Sequence, residues 1–327
     1  MSTNLPRRRF LGMTAAATAS SGLAASSVQA SNSPASPDSL RFVHLPDIHM
    51  MPGRGAPQKF ARCLEAVEDS KPKFAITGGD QVYKVLGVSE AEAQKLFDLY
   101  QGVVREHIKL PFHHCFGNAD AFGWHRKFNI TPDHPLYGKQ MFRERFGLER
   151  TYYRFDDGGW RFYVLDNVQP TFETVVHGLR ANDYQGCLDE TQQAWLEADL
   201  RAKPPEMPAV VVCHIPILSV TYFDDHIHVW REEESGYFLH VRLMARRAAE
   251  LTQLFSRHNV KLVLTGHMHR RDRCEYRGVT FICGGAVCGH WWHDPDRDPN
   301  TARPGFGLID LRSDGTFDYR YVEYGWS

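Results

Sequence analysis

Five short apolar segments of this chain each end abruptly in a cluster of Asp, Asn or His residues. The segments lie at residues 40–45, 74–77, 112–116, 209–213 and 261–265. Short runs rich in Val, Ile and Phe are typical of buried strands. In α/β sheets, ligands gather beyond the carboxyl ends of the strands. The pattern therefore predicts an α/β protein whose strand ends build one functional site.

Helical patterns separate these segments. Residues 60–67 have apolar side chains at i, i+3, i+4 and i+7, which predicts a helix with one buried face. Asp189 is a typical helix cap with Gln192 three residues later, so a second helix is predicted to begin there. A third helical pattern covers residues 239–259.

Two hairpins are predicted from turn residues. One turn, at residues 157–159, lies between the strand-like segments 152–155 and 161–165. The other lies near the C-terminus, at residues 313–315. No internal repeat or domain break follows residue 40, so residues 40–327 are predicted to form one large domain.

Residues 1–30 resemble a twin-arginine export signal. Arginines occupy positions 7–9, Phe and Leu follow, and residues 12–26 form a mild apolar stretch that is too polar for a stable membrane helix. Residues 28–30 are typical of a small-residue cleavage site. We therefore expect the twin-arginine machinery to export the protein to the periplasm or beyond the cell. A flexible linker over residues 31–39 and no membrane span after signal cleavage are also expected.

The strand-end clusters supply seven side chains that commonly bind metals. They are Asp47, His49, Asp80, Asn118, His214, His267 and His269. Carboxylate, carboxamide and imidazole ligands suit manganese, iron or zinc. The set is too large for one ion but suits two ions if one carboxylate bridges them. Gly79 and Gly266 stand directly before ligands, where tight backbone turns are useful.

The order Asp-x-His, Gly-Asp, Gly-Asn-x-Asp, His and Gly-His-x-His resembles that of the calcineurin-like metallophosphoesterases. It runs from Asp47 to His269, and residues 186–196 resemble the family's segment before the fourth motif. The resemblance implies an α/β fold with two mixed β-sheets packed face to face and flanked by helices, in a single large domain. It also implies a metal-dependent phosphoric ester hydrolase with a dimetal site at one end of the sheets.

The resemblance implies a role for each ligand and a reaction. Asp47, His49 and His269 would hold the first ion, Asn118, His214 and His267 would hold the second, and Asp80 would bridge. Two ions about 3.5–4 Å apart lower the pKa of a bridging water, and the resulting hydroxide would attack phosphorus in line. The expected substrate is a small phosphoester. The metal ligands do not decide between phosphodiesterase and phosphomonoesterase activity.

The chain departs from the family at one position. The family's third motif usually has a His after the Asn, and that His is thought to protonate the leaving group, whereas this chain has Ala119. Asp120, whose counterpart in the family orients the His, is present. General acid catalysis is worth about 10²–10⁴-fold in rate. A degenerate, metal-binding protein that binds a phosphate ligand is therefore the alternative to an active hydrolase.

Histidines elsewhere in the chain are candidate replacements for the missing acid. They are His125, His226, His228, His290 and His293. His226 and His228 are preferred because they follow the fourth motif, in a region that often borders the active site in this family. Together with Asp120 they form the predicted catalytic set. Trp291 and Trp292 are predicted to form either an apolar wall for the substrate or part of the core or a lid.

Charge and cysteine content exclude other classes of protein. The chain has 38 Lys+Arg and 39 Asp+Glu, a net charge of -1, and no basic stripe. Stable nucleic-acid binding is not expected, which argues against an exported nuclease as a third interpretation. The seven cysteines include no CxxC pair, so a structural zinc knuckle is not predicted. The sequence does not decide whether one disulfide forms.

Overall fold

A computed structural model provides the structure of the protein. It describes residues 39–125, 127–171, 174–176, 179–181, 184–224, 232–233, 236–237, 241–297 and 300–326. The predicted signal segment, residues 31–38 of the predicted linker, and the predicted donors His226 and His228 lie outside the described residues. The described residues belong to one compact unit. None of the helices in this part of the chain is long and apolar enough to cross a membrane.

One sheet contains strands from both ends of the described chain. Its five strands are β1 (Ser39–Leu45), β2 (Phe74–Thr77), β3 (Phe112–His113), β16 (Gly305–Arg312) and β17 (Phe317–Glu323). Their order is β17-β16-β1-β2-β3. β1, β2 and β3 are parallel, and β16 is antiparallel to β1 and to β17. The carboxyl ends of the three parallel strands therefore lie at the same end of the sheet.

The other sheet is formed by the middle of the chain. Its six strands are β4 (Tyr153–Asp157), β5 (Trp160–Val164), β10 (Ala209–Val212), β13 (Val260–Thr265), β14 (Arg271–Tyr276) and β15 (Val279–Gly284). Their order is β14-β15-β13-β10-β5-β4. The four central strands are parallel, and the two edge strands are antiparallel to their neighbours.

Small ribbons lie outside the two large sheets. They pair β6 (Val168–Pro170) with β9 (Tyr184–Gly186), β7 (Thr174–Val176) with β8 (Leu179–Ala181), and β11 (Glu232–Glu233) with β12 (Gly236–Tyr237). The helices of the described chain are α1 (Ala56–Asp69), α2 (Glu90–His107), α3 (Gln140–Phe146), α4 (Glu190–Ala202) and α5 (Ala248–Arg257).

Alternating side chains of β1 show how the layers are assembled. Phe42 points between the two sheets, where its ring lies 5.4 Å from that of Phe162 on β5. Val43 points the other way and belongs to the core that the first sheet shares with α1 and α2. A corresponding core joins the outer face of the second sheet to α4 and α5. The predicted fold, two mixed sheets face to face with flanking helices, is confirmed.

Apolar burial holds these layers together. Phe42 and Phe162 are both fully buried. Burying a side chain of this size stabilises the fold by about 1.5–3 kcal/mol. Phe60 of α1, also fully buried, belongs to the helix stripe predicted from the sequence. Packing between the two sheets thus holds the strand ends in position, and therefore also positions the residues that follow those ends.

Local predictions were confirmed in most places. The predicted cap Asp189 accepts a hydrogen bond from the Gln192 N–H at 2.8 Å, and both hairpins are present. The predicted helix over residues 239–259 was too long, since α5 begins at Ala248. Just before this helix, the backbone forms a hydrogen bond that is not helical. The Ala245 N–H donates to the Pro216 carbonyl at 2.8 Å. All seven cysteines are free thiols, so the structure contains no disulfide.

Candidate metal centre

The seven predicted ligands follow the carboxyl ends of parallel strands from both sheets. Asp47 and His49 follow β1, Asp80 follows β2, Asn118 follows β3, His214 follows β10, and His267 and His269 follow β13. Those with positive φ angles, between 46° and 70°, are Asp47, His49, Asp80, His267 and His269. Such angles are uncommon outside glycine and concentrate at functional sites, where the surrounding structure enforces them.

Asp47, His49 and His269 form the first ligand group. The Nε2 atoms of His49 and His269 are 3.1 Å apart. Asp47 Oδ1 lies 3.4 Å from His269 Nε2 and 3.7 Å from His49 Nε2. All three side chains are buried, and Asp47 Oδ1 has no hydrogen-bond partner. A buried carboxylate oxygen without a donor is costly unless a cation satisfies it, so this atom fits a metal ligand.

Asn118, His214 and His267 form the second ligand group. His214 Nε2 lies 2.9 Å from Asn118 Oδ1 and 3.2 Å from His267 Nδ1. Two imidazole nitrogens and a carboxamide oxygen therefore converge within a few ångströms. Asp80 Oδ1 lies 3.4 Å from His214 Nε2 and completes this set.

Asp80 lies between the two groups. Its Oδ2 atom is 3.4 Å from His49 Nε2 in the first group, while its Oδ1 atom faces His214 in the second. Each oxygen of one carboxylate therefore faces a different set of ligands. This is the arrangement that a carboxylate shared between two cations requires.

Backbone carbonyls orient two of the imidazoles. His214 Nδ1 lies 2.8 Å from the Gly78 carbonyl, and His269 Nδ1 lies 2.9 Å from the Gly289 carbonyl. A carbonyl can only accept, so each Nδ1 carries the hydrogen. The lone pair of a neutral ring then resides on Nε2, which is the atom that faces the other ligands. Such outer hydrogen bonds fix the tautomer of metal-binding histidines.

The electrostatics of the site favour bound cations. Burial raises the pKa of Asp47, but His269 and His49 outweigh this and hold that pKa well below its usual value. Burial lowers the pKa of His214, but Asp80 overcomes it and raises the pKa to about 9. Burial, together with His214, lowers the pKa of His267 to about 3. Burial raises the pKa of Asp80, but His214 and His49 outweigh this and hold it below its usual value. Two ionised buried carboxylates thus attract positive charge, and metal binding would displace the Nε2 proton of His214.

The comparisons with known proteins agree with this geometry. A family model described as calcineurin-like phosphoesterase matches residues 40–271, which include all seven ligands. The chain belongs to the calcineurin-like phosphoesterase family. The prediction of a metal-dependent phosphoesterase is therefore confirmed at the level of the family. Clusters of side chains that could hold a metal are present at the site, as the family requires.

Two curated relatives are phosphoester hydrolases by name. The chain is 30% identical over 226 residues to the serine/threonine-protein phosphatase CPPED1 of Danio rerio, an alignment that covers 66% of this chain and 60% of that protein. It is 27% identical over 165 residues to a 3′,5′-cyclic-nucleotide phosphodiesterase of Nostoc, covering 50% of this chain and 52% of that protein. The chain thus spans between about half and three fifths of the length of these relatives.

A solved structure supports the fold. A dimetal phosphatase from Danio rerio superimposes with a TM-score of 0.56 at 13% identity, covering 88% of this chain and 99% of that one. At this identity the likeness concerns the architecture of the calcineurin-like phosphoesterases alone.

Two glycines allow the predicted metal ligands of this phosphoesterase to approach one another closely. Gly79 has φ 90°, and a Cβ atom there would overlap the His214 ring. A Cβ atom on Gly266 would overlap Asp47 Oδ2. Gly79 is therefore needed both for its backbone conformation and for space, whereas Gly266 is needed for space.

Asp120 connects the loops that carry ligands of this phosphoesterase. Its side chain is buried, and its Oδ2 accepts hydrogen bonds from the N–H groups of Asp80 and Gly117, both at 3.0 Å. Its Oδ1 accepts from the Val82 N–H at 3.2 Å. The Ala119 N–H donates to Asp80 Oδ1 at 2.7 Å. The contacts of Asp120 are those of a positioning residue, and its predicted catalytic role stays a prediction.

The remaining predicted candidates differ in their surroundings. Trp291 lies over the first ligand group, with its ring 4.2 Å from that of His49. Trp292 is buried, and its Nε1 donates to the His49 carbonyl at 3.0 Å. His290 Nδ1 lies 3.3 Å from Thr301 Oγ1. Trp291 therefore lies beside the first ligand group, and its role as a wall for the substrate stays a prediction, while Trp292 is part of the core.

His293 and His125 have contacts of other kinds. His293 Nδ1 lies 3.3 Å from Arg297 Nη1. The backbone N–H of His125 donates to the Leu86 carbonyl at 2.9 Å. These particular contacts do not involve a predicted ligand, and the proposed proton-donating role of both histidines stays a prediction.

Sequence reasoning missed Cys288, Tyr83 and Lys84. Cys288 Sγ lies 3.9 Å from His269 Nδ1 and, with His49 and His269, forms one of the clusters that could hold a metal. The Tyr83 ring lies 6.5 Å from that of His49. Cys288 follows β15 in a turn without a recognisable motif. Only the proximity of Tyr83 and Lys84 to the Gly-Asp motif could have drawn attention to them.

Proposed function

We propose that this chain is an exported hydrolase of small phosphoesters that uses two metal ions. The placement of Asp80 is the observation that carries the proposal. Its two carboxylate oxygens face separate ligand groups, each 3.4 Å from a histidine nitrogen. A protein that bound one ion would have no use for a second set of ligands at this distance. In that set His214 is buried, and Asn118 and His267 are partly buried.

The residues of both groups fit such ions. The unsatisfied oxygen of Asp47 and the Nε2 atom of His269 would serve the first ion. Asn118 and His214 would serve the second. Their mixture of oxygen and nitrogen donors suits manganese, iron or zinc. When bound, a pair of such ions supplies Lewis-acid activation of water and neutralises the charge of the phosphoryl group.

The chain itself contributes preorganisation. The Gly78 and Gly289 carbonyls hold His214 and His269 in one tautomer and one orientation. Asp120 fixes the backbone of the loop that carries Asp80. Because these contacts exist before a substrate arrives, little reorganisation would be needed during the reaction.

The third motif constrains the leaving group. Ala119 has no side-chain donor, and its backbone N–H is already used by Asp80. A proton for the departing oxygen would therefore have to come from another residue or from solvent. We propose activity on esters with acidic leaving groups, because they need protonation least.

The test is hydrolysis by the full chain after loading with manganese, iron or zinc. 4-Nitrophenyl phosphate and bis(4-nitrophenyl) phosphate would report monoesterase and diesterase activity, and each relative provides one precedent by name. We expect turnover of at least one ester, with activity that is lost on chelation and restored by metal. Absence of turnover by protein that holds two ions would contradict the proposal.

Ala119 favours one second candidate, a phosphate-ligand binder without turnover. Under this alternative, the metal-loaded protein would bind inorganic phosphate or a phosphonate in calorimetry and still hydrolyse neither nitrophenyl ester. Binding together with metal-dependent turnover would exclude it.

A further inference from the structure

Tyr83, Lys84 and Trp291 form an aromatic–cationic corner beside the first ligand group. The Trp291 ring lies 4.2 Å from the His49 ring and 4.8 Å from the His269 ring. The Tyr83 ring meets Trp291 at 5.6 Å in an edge-on arrangement. The Lys84 ammonium lies 4.9 Å from the centre of the Trp291 ring. The same indole ring therefore contacts this ammonium and two imidazoles of the first ligand group.

The indole is held firmly in this place. The Arg54 side chain donates to the Trp291 carbonyl, and the Lys59 ammonium donates to the Trp292 carbonyl, both at 2.8 Å. Trp291 and Lys84 have φ angles of 54° and 49°, in the left-handed region. Bulky residues adopt this region at a cost, and they keep it where surrounding contacts enforce it. On the other side of the corner, the backbone N–H groups of Tyr83 and Lys84 donate to the Met50 and Val82 carbonyls at 3.0 and 3.1 Å. Backbone contacts therefore hold both sides.

The charge of Lys84 has no carboxylate partner among the described residues. Lys84 is exposed, and within the described part of the chain its ammonium forms no salt bridge or hydrogen bond. Its contacts are with the faces of Trp291 and Tyr83, at 4.9 and 5.7 Å. Aromatic faces attract a cation without neutralising it. The ammonium therefore remains able to bind an anion.

We propose that Lys84 binds a second anionic group of the substrate, beyond the phosphoryl group that is hydrolysed. This inference rests on the proposed function. The Lys84 ammonium contacts the Trp291 ring, and that ring lies against the His49 and His269 rings, so Lys84 is placed beside the first ligand group. An anion at Lys84 would belong to the part of the substrate next to the scissile ester. The substrate class is thus phosphoesters that carry a further carboxylate or phosphate.

The experiment compares two esters on the metal-loaded full chain. Phenyl phosphate and 4-carboxyphenyl phosphate differ in one anionic group. We expect kcat/KM to favour the carboxylated ester by about tenfold, mainly through KM, which is the scale of one hydrogen bond to a charged group. Lys84→Met should remove this preference, and Lys84→Arg should keep most of it. 1,4-Phenylene bisphosphate would show whether phosphate is preferred to carboxylate.

Matched controls separate a local contact from a general charge effect. Lys95→Met makes the same change at an exposed lysine of α2 and should leave the preference intact. Trp291→Ala should weaken the preference because Lys84 loses its support, whereas Trp291→Phe keeps a ring. Equal use of both esters by the native chain would overturn the inference. So would a preference that survives Lys84→Met or is lost equally in Lys95→Met.

Binding measurements keep this inference separate from the proposed function. Phenylphosphonate and 4-carboxyphenylphosphonate cannot be hydrolysed as phosphoesters, so calorimetry on the metal-loaded protein needs no turnover. We expect a tenfold lower dissociation constant for the carboxylated compound, and no such difference in Lys84→Met. This result would support the role of Lys84 even if both esters were inert. If the esters are hydrolysed and neither assay distinguishes the two compounds, the role of Lys84 is wrong while the proposed function stands.

Discussion

The carboxylate of Asp120 accepts a hydrogen bond from the backbone N–H of Asp80 at 3.0 Å. The same carboxylate accepts from Val82 on the same loop and from Gly117 on the neighbouring one. Asp120 thus joins the loops after β2 and β3, which carry one ligand each. Its effect on catalysis should therefore pass through the positions of Asp80 and Asn118.

Replacing Asp120 with Asn should weaken metal binding. The amide keeps one acceptor oxygen and turns an NH₂ group toward backbone donors, and each unsatisfied buried donor costs about 1–3 kcal/mol. We expect a lower free energy of unfolding in denaturant and fewer than two ions per chain by elemental analysis. Asp272→Asn is the matched control, because Asp272 also accepts from several backbone N–H groups, but these belong to Val220, Thr221 and Cys283 and not to a predicted ligand. Equal metal loss in both variants would argue against a specific role.

Replacing Asp80 with Asn should affect both ions. The change removes the negative charge that two cations would share, so metal occupancy should fall and activity should drop by orders of magnitude. His269→Ala removes a ligand from the first group alone and should mainly deplete one ion. Elemental analysis and turnover of a nitrophenyl ester would measure both effects. A ratio near two ions per chain in both variants would count against the assignment of the ligands.

A methyl group at Gly266 should disturb the first ligand group. The Cβ atom of Gly266→Ala would overlap Asp47 Oδ2, so Asp47 would have to move. We expect loss of the first ion with little loss of secondary structure by circular dichroism. Gly102→Ala in α2 is the control, because nothing lies within 4 Å of its new Cβ atom. That change should stabilise the helix by about 0.5–1 kcal/mol and leave the metal content unchanged.

The strands, and the grouping of the predicted ligands at the strand ends, could be predicted from the sequence because both depend on local patterns. β2 was predicted with its observed bounds, and each ligand lies close to a strand end. β3 was predicted over residues 112–116 but ends at His113, and the ring of the next residue, His114, stacks on that of Phe146. That contact joins residues far apart in the chain, which no local pattern reveals.

The surroundings of the ligands depend on tertiary packing in the same way. Cys288 and Trp291 follow β15, which lies beside β13 only in the assembled sheet. Their approach to His269 cannot be inferred from spacing along the chain. Asp120 was recognised from its motif, yet its three backbone partners appear only once the loops after β2 and β3 meet.

Export can be tested with a matched set of arginine variants. Replacing Arg7 and Arg8 with Lys should hold the protein in the cytoplasm, because twin-arginine receptors read both guanidinium groups. Arg9→Lys is the control, since position 9 corresponds to the spacer between the arginine pair and Phe10. Cell fractionation with an antibody or tag would measure the distribution. Unchanged export of the double variant would rule out the twin-arginine route.

Leaving-group dependence tests the consequence of Ala119. With no imidazole beside Asn118, departure of a poor leaving group lacks the family's usual proton donor. The rate should therefore fall steeply as the pKa of the leaving alcohol rises, and aryl esters with acidic phenols should react much faster than alkyl esters. A series of substituted phenyl phosphates would give the slope of log kcat/KM against that pKa. A shallow slope would mean that another group donates the proton. His226→Ala and His228→Ala would then be measured first, and a slope that neither variant steepens would exclude both histidines as the donor.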